Sequence, residues 1–358
     1  MIRHLLQLIW NQRKQNAWLW AELLLVSVFL WFLVDYLYVM GRTYTAPLGF
    51  DIRHTYSIVI SSLSERSPDY IPKEKRERPD GVHLLTALDR IRTYPGVESA
   101  CLTDGGMPYY MGSRNLVWRI DTLQVPCRYA FVTPEFFDVF RIYDKDGKTA
   151  SLKRAIEDNN SIVISADVET MNPGLSLLGQ KAYRGNVTDE IEETIRGISV
   201  PIRRHEYTKA EPNVYRALRL SRMEEGYYEG MIDAVRLCVR VRPDVDNADF
   251  PARFRKDMAE QLRLGNLYLL DVQPLSYIRN GYIRSIGVEN EVKTRVAVDC
   301  CLLGQKILRH IGSFWFPEGY CQSEMGVWVG FCTTRRQMKT VIVWEGVLFC
   351  GLGFVSVV

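Results

Sequence analysis

Gly147-Lys148-Thr149 ends as a phosphate-binding loop ends, with a lysine beside backbone N–H groups that could meet a nucleotide's phosphates. The glycine that must open such a loop would fall at Ile142, and no strand-to-helix glycine cradle precedes it. ATP binding by this chain is therefore not expected. Asp144, Asp146 and Gly147 imitate part of a calcium loop, but its first and twelfth ligand positions are Ile142 and Lys153, which leaves a turn. His4, His54, His83, His205 and His310 are scattered, with no His-Glu-x-x-His spacing for zinc. There is no Gly-x-Ser-x-Gly nucleophile turn. Arg203-Arg204-His205 has the charge to hold an anion and reads as a solvated loop. Cys300, Cys301, Cys321, Cys332 and Cys350 lack the Cys-x-x-Cys spacing of metal or redox sites. Cys101, Cys127 and Cys238 are an odd set, so a Cys101–Cys127 disulfide and solitary buried thiols both stay open. The reading is of a non-catalytic chain with no cofactor and no metal.

The elements that would position any such residue begin and end with apolar runs. Residues 18–40 are long enough to cross the hydrocarbon core as a helix, for which about 20 apolar residues suffice. Glu22 and Asp35 sit near its ends, and Trp18, Trp20, Tyr36 and Tyr38 suit the two interfaces as a membrane anchor. Arg3, Arg13 and Lys14 in the basic segment 1–17 place the N-terminus in the cytoplasm and the chain beyond the span outside. The length of the apolar region and the lack of a small-x-small site favour an uncleaved signal anchor over a secretory signal. A second apolar run spans 341–358. The net charge of +3 is too small to imply nucleic acid.

Between these ends, short strand and helix signals alternate. Tyr56, Ile58 and Ile60 predict a half-buried strand. Asp80 reads as the cap of a helix with Leu84, Leu88 and Ile91 on one face, ended by Pro95-Gly96. Residues 97–102, 161–165 and 237–242 predict strands. Thr133-Pro134 reads as the N-cap and first turn of a short helix bearing Phe136, Phe137 and Phe140. Phe250, Phe254, Met258 and Leu262 mark one helix face, stopped at Gly265, and the charged run 73–78 reads as a solvated loop. The pentapeptide Leu-Leu-Gly-Gln-Lys at 177–181 and 302–306 has unmatched flanks and is a chance recurrence. Irregular interleaving of strands and helices predicts an α+β domain over 41–293, in one or two lobes.

Several segments, in order, resemble permease subunits of the FtsX/MacB-like family of bacterial ABC transporters. They are Pro95-Gly96-Val97-Glu98-Ser99, Val132-Thr133-Pro134-Glu135-Phe136-Phe137-Asp138-Val139-Phe140, Leu178-Gly179-Gln180-Lys181, Val239-Arg240-Val241-Arg242-Pro243 and Val272-Gln273-Pro274-Leu275-Ser276. Gly312-Ser313-Phe314-Trp315-Phe316, Ser323-Glu324-Met325-Gly326 and Thr334-Arg335-Arg336-Gln337-Met338 are similar to the end of that family's second span and the cytoplasmic segment after it.

The resemblance implies a MacB-like periplasmic core domain flanked by transmembrane helices in a multi-pass protein of the bacterial inner membrane. It implies a second span at 294–316, a cytoplasmic coupling segment at 317–340, and a third span begun at 341–358. Ser323, Glu324, Met325, Gly326, Thr334, Arg335, Arg336 and Gln337 would then meet a separate ABC ATPase subunit. A second permease subunit, as homodimer or heterodimer, and the lipid bilayer complete the expected partners. Asp299, Lys306, Arg309 and His310 are a heavy charge load for a second span. Trp328 and Cys332 stand where the family usually has arginine and glycine. The stretch 299–332 therefore reads as damaged or decaying. Taken without the resemblance, the chain reads as a single-span anchored binding module.

Overall fold

A computed structural model describes residues 17–112, 114–184, 191–229 and 231–315; the coupling residues Ser323 to Gln337 and the run 341–358 lie outside them. The chain divides into two compact units, one of Thr43–Gly287 and one formed by the segments on either side of it.

In the flanking unit, helix α1 runs over Ala17–Thr45. Its part Leu24–Thr45 is long and apolar enough to cross a membrane, with mean hydropathy 2.0, and no other described helix meets that test. Phe29, Trp31, Phe32 and Val34 are exposed along it, as apolar side chains facing lipid would be. The last described helix of this unit covers Val288–Trp315. Arg295 on that helix lies over the ring of Tyr36, 4.5 Å from its centroid.

The unit Thr43–Gly287 is an α+β domain whose described residues build one ten-stranded sheet. Four of its strands form an antiparallel ribbon in the order β10 (Leu267–Pro274), β1 (Thr55–Ser62), β9 (Val235–Val241) and β2 (Val97–Asp104). The next strand, β4 (Leu123–Val132), is a branch point. Its residues Leu123 to Arg128 pair β3 (Asn115–Ile120), Arg128 to Val132 pair β8 (Asn213–Ala217), and Phe131 and Val132 also pair β2. Pairing continues from β3 through β6 (Lys181–Arg184), β7 (Ile191–Ser199) and β5 (Ser161–Ser165) to β8, which closes six strands into a ring. The β4–β8 and β5–β7 pairs are parallel. A two-residue turn joins β3 to β4, and Asp121 takes the positive φ (52°) that such a hairpin turn needs. The domain thus combines an open ribbon and a closed ring that share β4.

Helices α2 (Asp80–Arg92) and α7 (Phe250–Met258) cover one face of the ribbon, with Leu84, Leu88, Ile91, Phe250, Phe254 and Met258 meeting Ile58, Leu237 and Val239. On the second buried face, α3 (Phe136–Val139) and α4 (Ala150–Glu157) bring Phe136, Phe137, Phe140 and Leu152 against Cys101 and Cys238. Trp118, Ile120, Ile162, Ile164, Ile195 and Val214 form a third cluster in the ring. With both faces covered, β9 is buried at nearly every position rather than at alternate ones.

Three local expectations are corrected, and one pair of alternatives is decided. Asp80 is the first residue of α2 and makes no capping bond, because its carboxylate pairs with Arg76 at 3.0 Å. Arg76 is thus tucked in and shared with Tyr70, so the run 73–78 is not wholly solvated. Thr133 does not cap α3 with its side chain; its hydroxyl accepts from Leu102 N–H of β2 at 3.1 Å. Cys101 and Cys127 are free thiols in different core clusters, and the residue opposite Cys101 is Cys238 of β9.

Candidate functional site

The chain enters the domain at Thr43 and leaves it through α8 (Leu275–Ile286), which Gly287 stops in a left-handed conformation (φ 69°). The loop after β7 meets both places. Its Arg203 is buried at 4% exposure and donates to four carbonyls: Thr43 and Ala46 where the chain enters, and Glu206 and Thr208 within its own loop. The planar five-donor fork of arginine suits such a convergence of carbonyls, which a lysine point charge could not match. Burial pushes the Arg203 guanidinium below its usual value, and Glu206 opposes the shift.

Glu206 supplies the matching anion. Its Oε1 accepts from Arg279 Nε of α8 at 2.6 Å and from the Tyr109 hydroxyl at 2.9 Å. Burial raises its carboxyl, but the bonds from Arg279 and Tyr109 outweigh burial and leave it below the ordinary carboxylate value. Burial and then Glu206 push the Tyr109 phenol well up. Tyr109 meets Tyr282 of α8 edge-on at 5.8 Å, and Tyr282 meets His205 at 5.9 Å. Beyond His205, Tyr207 packs on Tyr44 at 5.3 Å. One loop, residues 203–208, therefore holds the incoming and the outgoing chain by charge-assisted hydrogen bonds and stacked rings.

A second arginine secures the next stretch of incoming chain. Arg240 of β9 is fully buried and donates to the carbonyls of Asp51, Arg53 and Val139, each at 2.7 Å. Asp51 N–H in turn donates to Phe140 O at 2.8 Å. From Thr43 to Arg53 the backbone is thus pinned twice, by guanidinium groups that hold no carboxylate.

This arrangement offers no nucleophile paired with a base, and among the described residues no group of three or more His, Cys, Asp or Glu could hold a metal ion. What it can do is resist displacement: pulling on either end of the domain's chain loads buried hydrogen bonds rather than a flexible linker. The junction corrects the reading of Arg203-Arg204-His205 as a solvated loop. The only sequence signals were the alternation of Arg203 with buried Ile202 and the position of Arg240 between Val239 and Val241.

The residues singled out from sequence are placed unevenly. Trp18 and Trp20 fall in the first turns of α1, Tyr36 lies under Arg295, and Tyr38 is exposed at 65%. Asp144 forms a turn, its Oδ1 accepting from Asp146 N–H and Lys148 N–H, with Gly147 at φ 75°.

No protein-family model and no curated protein matches the chain. Among solved structures, it is similar to a domain of a permease-type protein from Porphyromonas gingivalis (17% identity, TM-score 0.39, covering 64% of this chain and 92% of that one). It is also similar to the periplasmic region of MacB from Actinobacillus actinomycetemcomitans (9% identity, TM-score 0.37, 64% and 94%). A third similar structure is the extracellular domain of the noncanonical ABC-type transporter YknZ from Gram-positive bacteria (11% identity, TM-score 0.34, 60% and 100%).

Proposed function

We propose that this chain is a permease subunit of an ABC transporter of the FtsX/MacB type. It moves an extracytoplasmic domain with energy from a separate ATPase subunit, as part of a permease dimer in the bacterial inner membrane. The observation that carries the reading is the junction: chain arriving from an apolar helix and chain leaving through α8 are held by one buried loop, Arg203 to Thr208. A module that only needed tethering would be served by a flexible linker. The ordered FtsX/MacB-like segments from Pro95 to Met338 support the same reading. In it, residues 294–316 are a second span, Trp18, Trp20, Tyr36 and Tyr38 anchor the first, and Ser323 to Gln337 meet the ATPase.

The test is copurification of the full chain from detergent-solubilised membranes. An ABC ATPase subunit should accompany the wild type and be lost on changing Glu324 and Arg335 to alanine. A membrane-bound chain that brings down no ATPase sinks the coupling role. It would favour the second reading, a single-span anchored binding module, for which the observation is that only Leu24–Thr45 among the described helices is apolar enough to span.

A further inference from the structure

We propose that a cavity between β4, β8 and the loop at Arg203 and Arg204 is a binding site for a small oxyanion, held by Arg128 and Arg204. The cavity offers ≈ 40 Å³ to the centre of a water molecule. That is room for a few waters, or for one carboxylate or tetrahedral oxyanion, and too little for a nucleotide. Gly105 to Tyr110, Arg128, Arg204, Asn213 and Tyr215 are among its walls.

Arg128 extends from β4 opposite Asn213 of β8. Its Nε is shut away from solvent with no partner, and its guanidinium makes no hydrogen bond or ion pair with any described residue. The Nε of Arg204 is likewise buried and unpartnered, and its only ion pair is a loose 3.7 Å approach to the half-exposed Glu211. Arg203, also at the wall, is spent on four carbonyls. Tyr215 lines the same space, and its hydroxyl makes no hydrogen bond to a described residue.

Two guanidiniums thus face a cavity with one distant carboxylate between them. Arginine does not shed its proton, and both side chains are only partly exposed, Arg204 at 34%, so their charge is left to water or to an anion from outside the chain. Burial, and then the charge of Arg204, hold Arg128 below its usual value, as expected for a cation lacking its counter-ion. An oxyanion presenting two oxygens would match the forked donors of both arginines and accept from Tyr215. The site makes no use of the apolar helices and does not depend on the transporter reading.

The experiment uses the full chain in detergent, with sodium acetate, sodium phosphate and sodium chloride at matched ionic strength. Thermal unfolding and calorimetric titration are the readouts. Acetate or phosphate at about 100-fold over its dissociation constant should raise the melting temperature by about 5 °C or more above the chloride control. Acetate acting alone assigns the site to carboxylates, and phosphate acting alone to phosphoryl groups. Arg128→Gln should abolish the anion-dependent rise while melting no lower than wild type without anion. Arg204→Gln and Tyr215→Phe, independent variants should Arg128→Gln fail to fold, should each weaken binding, the former about tenfold or more. Equal melting in all three salts, or an undiminished response in all the variants, overturns the proposal.

Discussion

At the scale of single residues, buried arginines organise the domain more than any acidic or catalytic group. Arg203→Met keeps the length of the side chain and strands the four carbonyls it served. The expected cost is about 2–4 kcal/mol, read by urea unfolding of the full chain. A cost under about 0.5 kcal/mol would mean that water replaces the guanidinium freely. Glu206 carries a pH signature. Because its folded value lies below the ordinary 4.5, its contribution is fully present above 4.5 and disappears as the pH falls through the lower folded value. Glu206→Gln should therefore flatten the loss of stability between about pH 5 and 3, and an unchanged slope would assign that loss to other carboxylates. Beyond the apolar neighbours of Arg203 and Arg240, none of this was legible in the sequence. Two of the four acceptors of Arg203 lie 157 and 160 positions away, and those of Arg240 lie 101 to 189 positions away, so the local sequence does not show what gathers around them.

Helices and strands were legible wherever one periodicity acted alone. The spacing of Phe250, Phe254 and Met258 marks α7, and the alternation of Tyr56, Ile58 and Ile60 marks β1. Phe254 is fully buried between the ribbon and Tyr94, whose ring lies 4.7 Å away. Phe254→Ala should cost about 3–5 kcal/mol in an unfolding titration, and a loss below about 1 kcal/mol would mean that α7 is dispensable to the core. Close packing also fixes α2, since a Cβ on Gly81 would lie 2.4 Å from Met223 O. The closed ring was not legible, because its two parallel pairings join strands that are not sequence neighbours and leave no local pattern. The second buried face of β9 was missed for a related reason. Arg236 and Arg240 on either side of Cys238 look like a wet face until Arg240 is found among carbonyls.

For the whole molecule, the permease reading places the unit Thr43–Gly287 outside the cytoplasm. Lys73, which is strongly exposed, offers trypsin a site there. Intact spheroplasts treated with trypsin should lose the full-length chain without permeabilisation, whereas protection until lysis would reverse the topology. The shared strand β4 carries a further consequence. A closed ring and an open ribbon could in principle melt separately, each with its own core. Here, Phe131 and Val132 belong to both, through pairs with β2 and with β8. Neither part can open at that end without giving up ladder bonds of the other. Calorimetry should thus show one transition for the domain, and the amides of Phe131 and Val132 should be among the last to exchange with deuterated solvent. Two resolved transitions would mean that the strand can serve one partner at a time. With a single transition, work applied where the chain enters is distributed over one cooperative body instead of being dissipated by partial unfolding.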